Sequence, residues 1–185
     1  MLDYTYSEED ISIIRRQIGR ENIYANGIIE RCEYGYPRIM LLDPEADGGE
    51  WNYEAVSNIL WLTCPYLNER IHDLEQVGYI ERIGAFIRQD NSLMMKMESA
   101  NAHMYFLRKR VCDSRADATF PDDLRRVMDA GVGGARDVSS LKCLHAHFCH
   151  YRIYGDNVAG LITARLLENR INCEEVRCRN AIERN

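Results

Sequence analysis

Ile59-Leu60-Trp61-Leu62-Thr63-Cys64-Pro65 is the stretch on which the fold turns. Four apolar residues in succession read as a buried strand. Proline is favoured at the first helical position, because its missing N–H is not needed there and its φ is already helical. Pro65 in that position makes Cys64 the N-cap, and Ile71, Leu74 and Val77 carry the helical repeat to Gly78. Tyr79 to Ile83 reads as a further strand. The centre of the chain is therefore expected to be a strand, helix, strand unit with a thiol at the helix entrance.

Toward the N-terminus, Ser7 followed three residues later by Asp10 resembles a capping box, and Ile11, Ile14 and Ile18 recur at helical spacing before Gly19. This predicts a helix from about Glu8 to Ile18. Ile28 to Tyr34 and Arg38 to Leu42 have strand character and are separated by Gly35-Tyr36-Pro37, which predicts a hairpin; Asp43 to Gly49 reads as a polar loop. Toward the C-terminus, Leu93, Met97, Ala100, Met104, Leu107 and Val111 mark a long amphipathic helix, whose apolar face suits the core or a homodimer. A short helix after Phe120-Pro121 ends at Gly131, and Val132-Gly133-Gly134 follows as a flexible loop. Another helix is expected from about Val138 to Tyr154, ended by Gly155, and Asn157 caps a last one. The tail beyond Cys173 is charged and expected to be loose. The fold class is α+β: one helix-rich domain over 1–185, with a small sheet of about four strands. Residues 1–90 form a mixed strand and helix half, 91–170 a helical half, and 171–185 a charged tail.

Composition bounds the function. At 185 residues the chain is long enough for one good core, and its 46% hydrophobic and 28% charged residues are ordinary for a globular protein. A net charge of -6 and a pI near 5.4 argue against nucleic-acid partners. The acidic start from Met1 to Asp10 lacks the basic and apolar stretches of a secretory signal, and apolar runs such as Ile39 to Leu42 are too short to span a bilayer. A cytoplasmic location without membrane association is expected. There the seven cysteines would remain thiols.

Lys142 to His150 concentrates three histidines and two cysteines. With about 100° between residues on a helix, Leu141, Leu144, Phe148 and Tyr151 form the buried stripe. Cys143, His147 and His150 fall on one flank, and Lys142, His145 and Cys149 on the other. Either cluster would offer imidazole and thiolate to zinc or a similar metal. Cys64, at a helix N-terminus, is placed for thiolate stabilisation. Gly131-Val132-Gly133-Gly134-Ala135-Arg136 would let backbone N–H groups turn toward an anion beside Arg136, although an ordinary interhelix turn is the simpler explanation.

Gln17-Ile18-Gly19-Arg20, Arg31-Cys32 with Gly35 and Pro37, Trp61-Leu62-Thr63-Cys64-Pro65, Leu74-Glu75 with Gly78, Gly131 to Gly134, Lys142-Cys143-Leu144-His145-Ala146-His147 and Gly155-Asp156-Asn157 together resemble the bacterial domain-of-unknown-function family 501. The chain departs from that pattern at Val158, where the family usually has proline, and at Val56-Ser57-Asn58, in place of Phe-Pro-Thr. The resemblance implies that Cys32, Cys64, Lys142, Cys143 and His145 belong to motif blocks, and it supplies no reaction. Genes of the family lie in some bacteria near those of exopolyphosphatase-like proteins, an association that points to phosphate chemistry.

Three readings follow. The first is an enzyme acting on a small anionic or phosphorylated substrate, with Cys32, Cys64 and Cys143 plus one of His145, His147 or His150 holding zinc or an iron–sulfur cluster. The second is a metal-free thiol enzyme with Cys64 as nucleophile, His145 as base, and Lys142, Arg136 and the Gly133 and Gly134 turn binding an anionic group. The third is a non-catalytic module for a phosphorylated ligand or a protein partner, its cysteines filling the core.

Overall fold

The computed structural model describes residues 5–45, 49–113, 121–138, 140–168 and 170–179. The order of elements is α1 (Glu8–Ile18), β1 (Ala25–Arg31), β2 (Pro37–Leu42), α2 (Tyr53–Ser57), β3 (Leu60–Leu62), α3 (Pro65–Gln76), α4 (Tyr79–Arg88), α5 (Asn91–Asp113), α6 (Asp122–Met128), a 3-10 turn (Val132–Gly134), α7 (Leu144–Tyr154) and α8 (Val158–Leu166). The class is α+β, as the sequence pattern predicts. The sheet has three antiparallel strands in the order β1-β2-β3, all from the N-terminal half.

The expected fourth strand, Tyr79 to Ile83, is instead the first half of α4. Gly78 adopts a left-handed conformation (φ 83°) that reverses the chain after α3, and Ile83 and Ile87 then bury at helical spacing. The five apparent strand residues were half of a longer helical period. The short helix α2 lies where sequence pattern gave no element; Asn52 caps it by accepting from the Ala55 N–H.

β2 is buried along its whole length because both faces of the sheet are covered. Ile39 and Leu41 point into the main core with Leu60, Leu62, Leu67, Ile71 and Phe148, while Met40 and Leu42 meet Ile14 of α1 on the opposite face. The α1 box forms as expected: Ser7 accepts from the Asp10 N–H, and Asp10 accepts from the Ser7 N–H. Asp10 also pairs with Arg31 of β1 at 2.6 Å. The face of α5 considered for a homodimer is largely spent inside the chain, since Met97, Ala100, Met104 and Val111 are all buried.

α5 also buries a charge. Arg108 is 0% exposed, and its guanidinium donates to the carbonyl oxygens of Val56 (2.9 Å), Ser57 (2.9 Å), Met128 (3.2 Å), Gly131 (3.0 Å) and Ala130. These oxygens belong to the ends of α2 and α6 and to the glycine turn. Burial lowers the guanidinium to about 10, still charged at neutral pH. The helix pattern marked Leu107 as inward, yet the fully buried neighbour is Arg108, because carbonyls at two helix ends and in the glycine turn need donors.

The segment 170–179 is docked rather than loose. The Tyr34 hydroxyl donates to the Cys173 carbonyl (3.1 Å), Arg38 donates to Asn172, Arg177 pairs with Glu69, and Cys178 is buried. No helix among the described residues is long and apolar enough to cross a membrane.

Two measurements check this frame. Arg108→Met leaves several carbonyls without donors and should destabilise the protein by at least ~3 kcal/mol in urea unfolding. The Arg31 contact holds Asp10 at about 2, below its ordinary 3.8, so its stabilisation is present above pH 3.8 and is lost as pH falls through 2. Asp10→Asn should therefore cost about 1–2 kcal/mol at pH 7, allowing for screening at the partly exposed Arg31, and almost nothing near pH 2.

Candidate functional site

α7 begins at Leu144, six residues later than periodicity suggested. Its N-cap, Cys143, is extended (φ −154°, ψ 116°), and no local side chain caps the helix. The donor that needs satisfying, the Leu144 N–H, goes instead to Glu75 Oε1 of α3 at 2.6 Å. A carboxylate 69 residues away thus fixes where the helix starts, and this decides the chemistry. On an unbroken helix Cys143 and His145 would sit on different flanks. With Cys143 outside the helix, its Sγ lies 3.7 Å from His145 Nδ1.

His145 Nδ1 is also 3.2 Å from Glu75 Oε1, and its Nε2 lies 3.1 Å from the Asn68 carbonyl oxygen, to which it donates. Asn68 in turn is tied to the sheet by its Nδ2 donation to the Leu62 carbonyl (3.0 Å). Burial works against charging this imidazole, but the contacts with Cys143 and Glu75 win and raise it to about 10. Burial opposes the Glu75 charge as well, and His145 overrides it, so the carboxyl is held below its usual range.

Sγ, Nδ1 and Oε1 all lie within 4.8 Å of one another. Bonds of about 2.3 Å to sulfur and about 2.0–2.2 Å to nitrogen and oxygen place tetrahedral zinc ligands roughly 3.3–3.6 Å apart, which matches the 3.7 and 3.2 Å separations here. The group faces a pocket of about 410 Å³ lined by Asn58, Leu60, Trp61, Leu62, Asn68, Cys143, His145 and Ala146. Four apolar residues, two asparagines and one cysteine–histidine pair give a mixed cleft of the size that small molecules occupy.

The other sequence-derived candidates fall elsewhere. Cys32 and Cys64 share a narrow cavity with Cys173 and Cys178, apart from the Cys143 pocket, and no three of these sulfurs lie within 4.8 Å of one another. The fold thus brings Cys32 and Cys64 to one place and Cys143 to another. Cys64 is the N-cap of α3 as expected, but burial pushes its thiol up to about 11, the opposite of activation. Cys149 is fully buried and likewise shifted upward by desolvation. His147 is buried beside Asn157, 3.1 Å from Nδ1, and His150 is buried near Asp156 and His103.

Lys142 and Arg136 are exposed, and neither lines the Cys143 pocket. In the glycine turn, the Gly131 N–H donates to Ala135 (2.7 Å), the Val132 N–H to Asn101 Oδ1 (2.9 Å) and the Gly134 N–H to Gly131 (3.1 Å), so three donors of an anion cradle are already committed. The turn instead supports α7: a Cβ at Gly133 would stand 3.4 Å from the Ala146 Cβ and 3.7 Å from that of Cys143. Gly133 has a φ of 66°, which glycine adopts without strain.

Glu75 stands in one of the motif blocks, but nothing in the sequence assigns it a role. The block was the available signal; the contact with Leu144 was not, because helix ends are usually capped locally.

A family model described as protein of unknown function (DUF501) matches residues 28–165. No curated protein and no solved structure matches the chain.

The geometry ranks the thiols. Cys143 is half-buried, at a helix N-terminus and at the pocket, whereas Cys64, Cys112 and Cys149 are buried. After removal of metal with a chelator, iodoacetamide at pH 7 should modify Cys143 well before those three, as read by peptide mass spectrometry; equal rates would contradict the ranking.

Proposed function

We propose that this chain, which belongs to the DUF501 family of proteins of unknown function, is a zinc-dependent enzyme that activates water against a small polar substrate in the Cys143 pocket. The observation that carries this reading is the convergence of Cys143, His145 and Glu75, whose ligand atoms lie within 4.8 Å of one another, with Sγ and Oε1 at 3.7 and 3.2 Å from Nδ1. Three protein donors and a fourth position open to a cleft are the hallmark of a catalytic zinc site, whereas structural sites close all four. The bond from His145 Nε2 to the Asn68 carbonyl supports it too, because zinc-bound imidazoles generally donate their second N–H to a carbonyl or carboxylate.

Zinc bound there would supply a water of lowered pKa and a Lewis acid for a carbonyl or phosphoryl oxygen. The chain's own contribution is positional. Asn68 and Glu75 fix the imidazole, the Leu60, Trp61 and Leu62 wall excludes bulk water, and the Asn58 and Asn68 carboxamides face the cleft. The lining contains no lysine or arginine, so a neutral or singly charged substrate fits better than a polyphosphate. The reading places the chain in a reducing compartment such as the cytoplasm, where Cys143 stays a thiol.

A second reading rests on the start of α7. There Cys143 meets the positive end of the helix macrodipole and a readily charged imidazole, an arrangement suited to a thiolate nucleophile. In that case Cys143, rather than Cys64, would attack.

Metal analysis of protein purified without oxygen separates the two. One equivalent of zinc per chain is expected to disappear on Cys143→Ser or Glu75→Gln and to remain on Cys64→Ser, whatever metal is held elsewhere in the chain. A folded wild-type chain that neither contains nor takes up zinc would rule out the first reading, and rapid alkylation of Cys143 in that protein would favour the second.

A further inference from the structure

At the far end of α7 from Cys143, three side chains from three elements converge. His103 comes from α5, His150 from α7 and Asp156 from the link to α8. His103 Nδ1 lies 3.4 Å from Asp156 Oδ2, and His150 Nδ1 lies 3.9 Å from Asp156 Oδ1. The two imidazole rings are nearly parallel, with centroids 5.7 Å apart and planes inclined by 12°, and Tyr154 stacks against both at 4.7 and 4.6 Å. One donor atom from each of the three lies within 4.8 Å of the other two.

The polar accounting at this point does not close. His150 is 0% exposed, yet its ring nitrogens have no well-aligned hydrogen bond, only a loose contact of the imidazole with the Ala100 backbone. His103 Nδ1 and Asp156 Oδ1 are also buried without one; only Asp156 Oδ2 is served, by the Ser99 hydroxyl at 3.3 Å. Buried polar side-chain atoms nearly always have a partner, so three atoms, one on each of three adjoining side chains, need an explanation once one His150 nitrogen is assigned to the Ala100 backbone. Direct pairing does not give one: 3.9 Å is too long for a hydrogen bond, and the 3.4 Å contact has the wrong direction. A cation that accepts lone pairs from all three does.

We propose that His103, His150 and Asp156 form a second, mononuclear site for a divalent transition metal. Two imidazoles and a carboxylate without sulfur suit Zn²⁺, Co²⁺ or Ni²⁺ and discriminate against Ca²⁺ and Mg²⁺, which take oxygen ligands. His103 is 37% exposed, so the ion would reach the group from that side while Tyr154 and the core close the other. This site shares no ligand with the Cys143 pocket, and it holds whether or not that pocket binds zinc.

The test uses the full-length Cys143→Ser chain, in which the sulfur ligand of the pocket is gone; serine is itself a good N-cap, so α7 should be preserved. Cobalt(II) titrated into this metal-free protein should bind at about one equivalent, with a visible ligand-field spectrum and no sulfur-to-metal charge transfer. Because His150 is buried and its replacement may unfold the chain, the informative variants are His103→Ala and Asp156→Asn, each combined with Cys143→Ser and checked by circular dichroism. Both should weaken cobalt binding more than about 10-fold, the loss expected even of an outer-shell partner. Failure of Cys143→Ser to bind cobalt, or undiminished binding in the two double variants, would overturn the proposal.

Discussion

The guanidinium of Arg108 is the point from which the rest of the structure hangs. Five backbone carbonyls converge on it, from the ends of α2 and α6 and from the glycine turn, and no carboxylate is among its partners. These oxygens lie at helix ends and in the turn that follows α6; the Gly131 oxygen also accepts from the Gly134 N–H, and Arg108 supplies the donor the others need to avoid the more costly unpaired state. By tying them to one residue of α5, the chain fixes the glycine turn. Gly133 then sets the floor beneath Ala146 and Cys143. The cysteine at the pocket thus owes its position to a cation it does not touch.

Glu75 performs the complementary task from the other side. It accepts from the first N–H of α7 and lies against His145, so the same carboxylate that starts the helix also positions the imidazole. Docking of α3 on α7 and assembly of the cysteine, histidine and glutamate group are therefore one event. Neither helix carries the site by itself.

Much of this was legible in the sequence, for reasons that can be traced. The α1 capping box, the proline start of α3 and the asparagine cap of α8 are each set by residues within four positions of one another and appear where the pattern placed them; the hairpin forms too, with its first strand at Ala25–Arg31, three residues ahead of the expected Ile28 to Tyr34. What escaped depended on partners far away in the chain. Tyr79 to Ile83 reads as a strand from its aromatic and β-branched residues, but five residues are too few to fix the period, and after the chain reversal at Gly78 they continue as helix. α7 carried apolar residues far enough upstream to suggest an earlier start, and only Glu75 showed where it begins. The same displacement brought Cys143 beside His145, two residues from one motif block that helical geometry had set apart. Cys32 and Cys64 did meet, but with Cys173 and Cys178 rather than Cys143, because the segment 170–179 folds back over the hairpin.

That returning segment meets α1 directly: the Gln17 carboxamide donates both to the Pro37 carbonyl (2.9 Å) and to Cys178 Sγ (3.3 Å). Both elements reach beyond the span that the family model covers, and together they close over the cavity holding Cys32 and Cys64. They act as a clasp, the first helix supplying one jaw and residues 170–179 the other. Cys64 is therefore covered twice, by the sheet core beneath it and by a clasp of two peripheral segments above, whereas Cys32 stays half-buried at the edge of the same cavity.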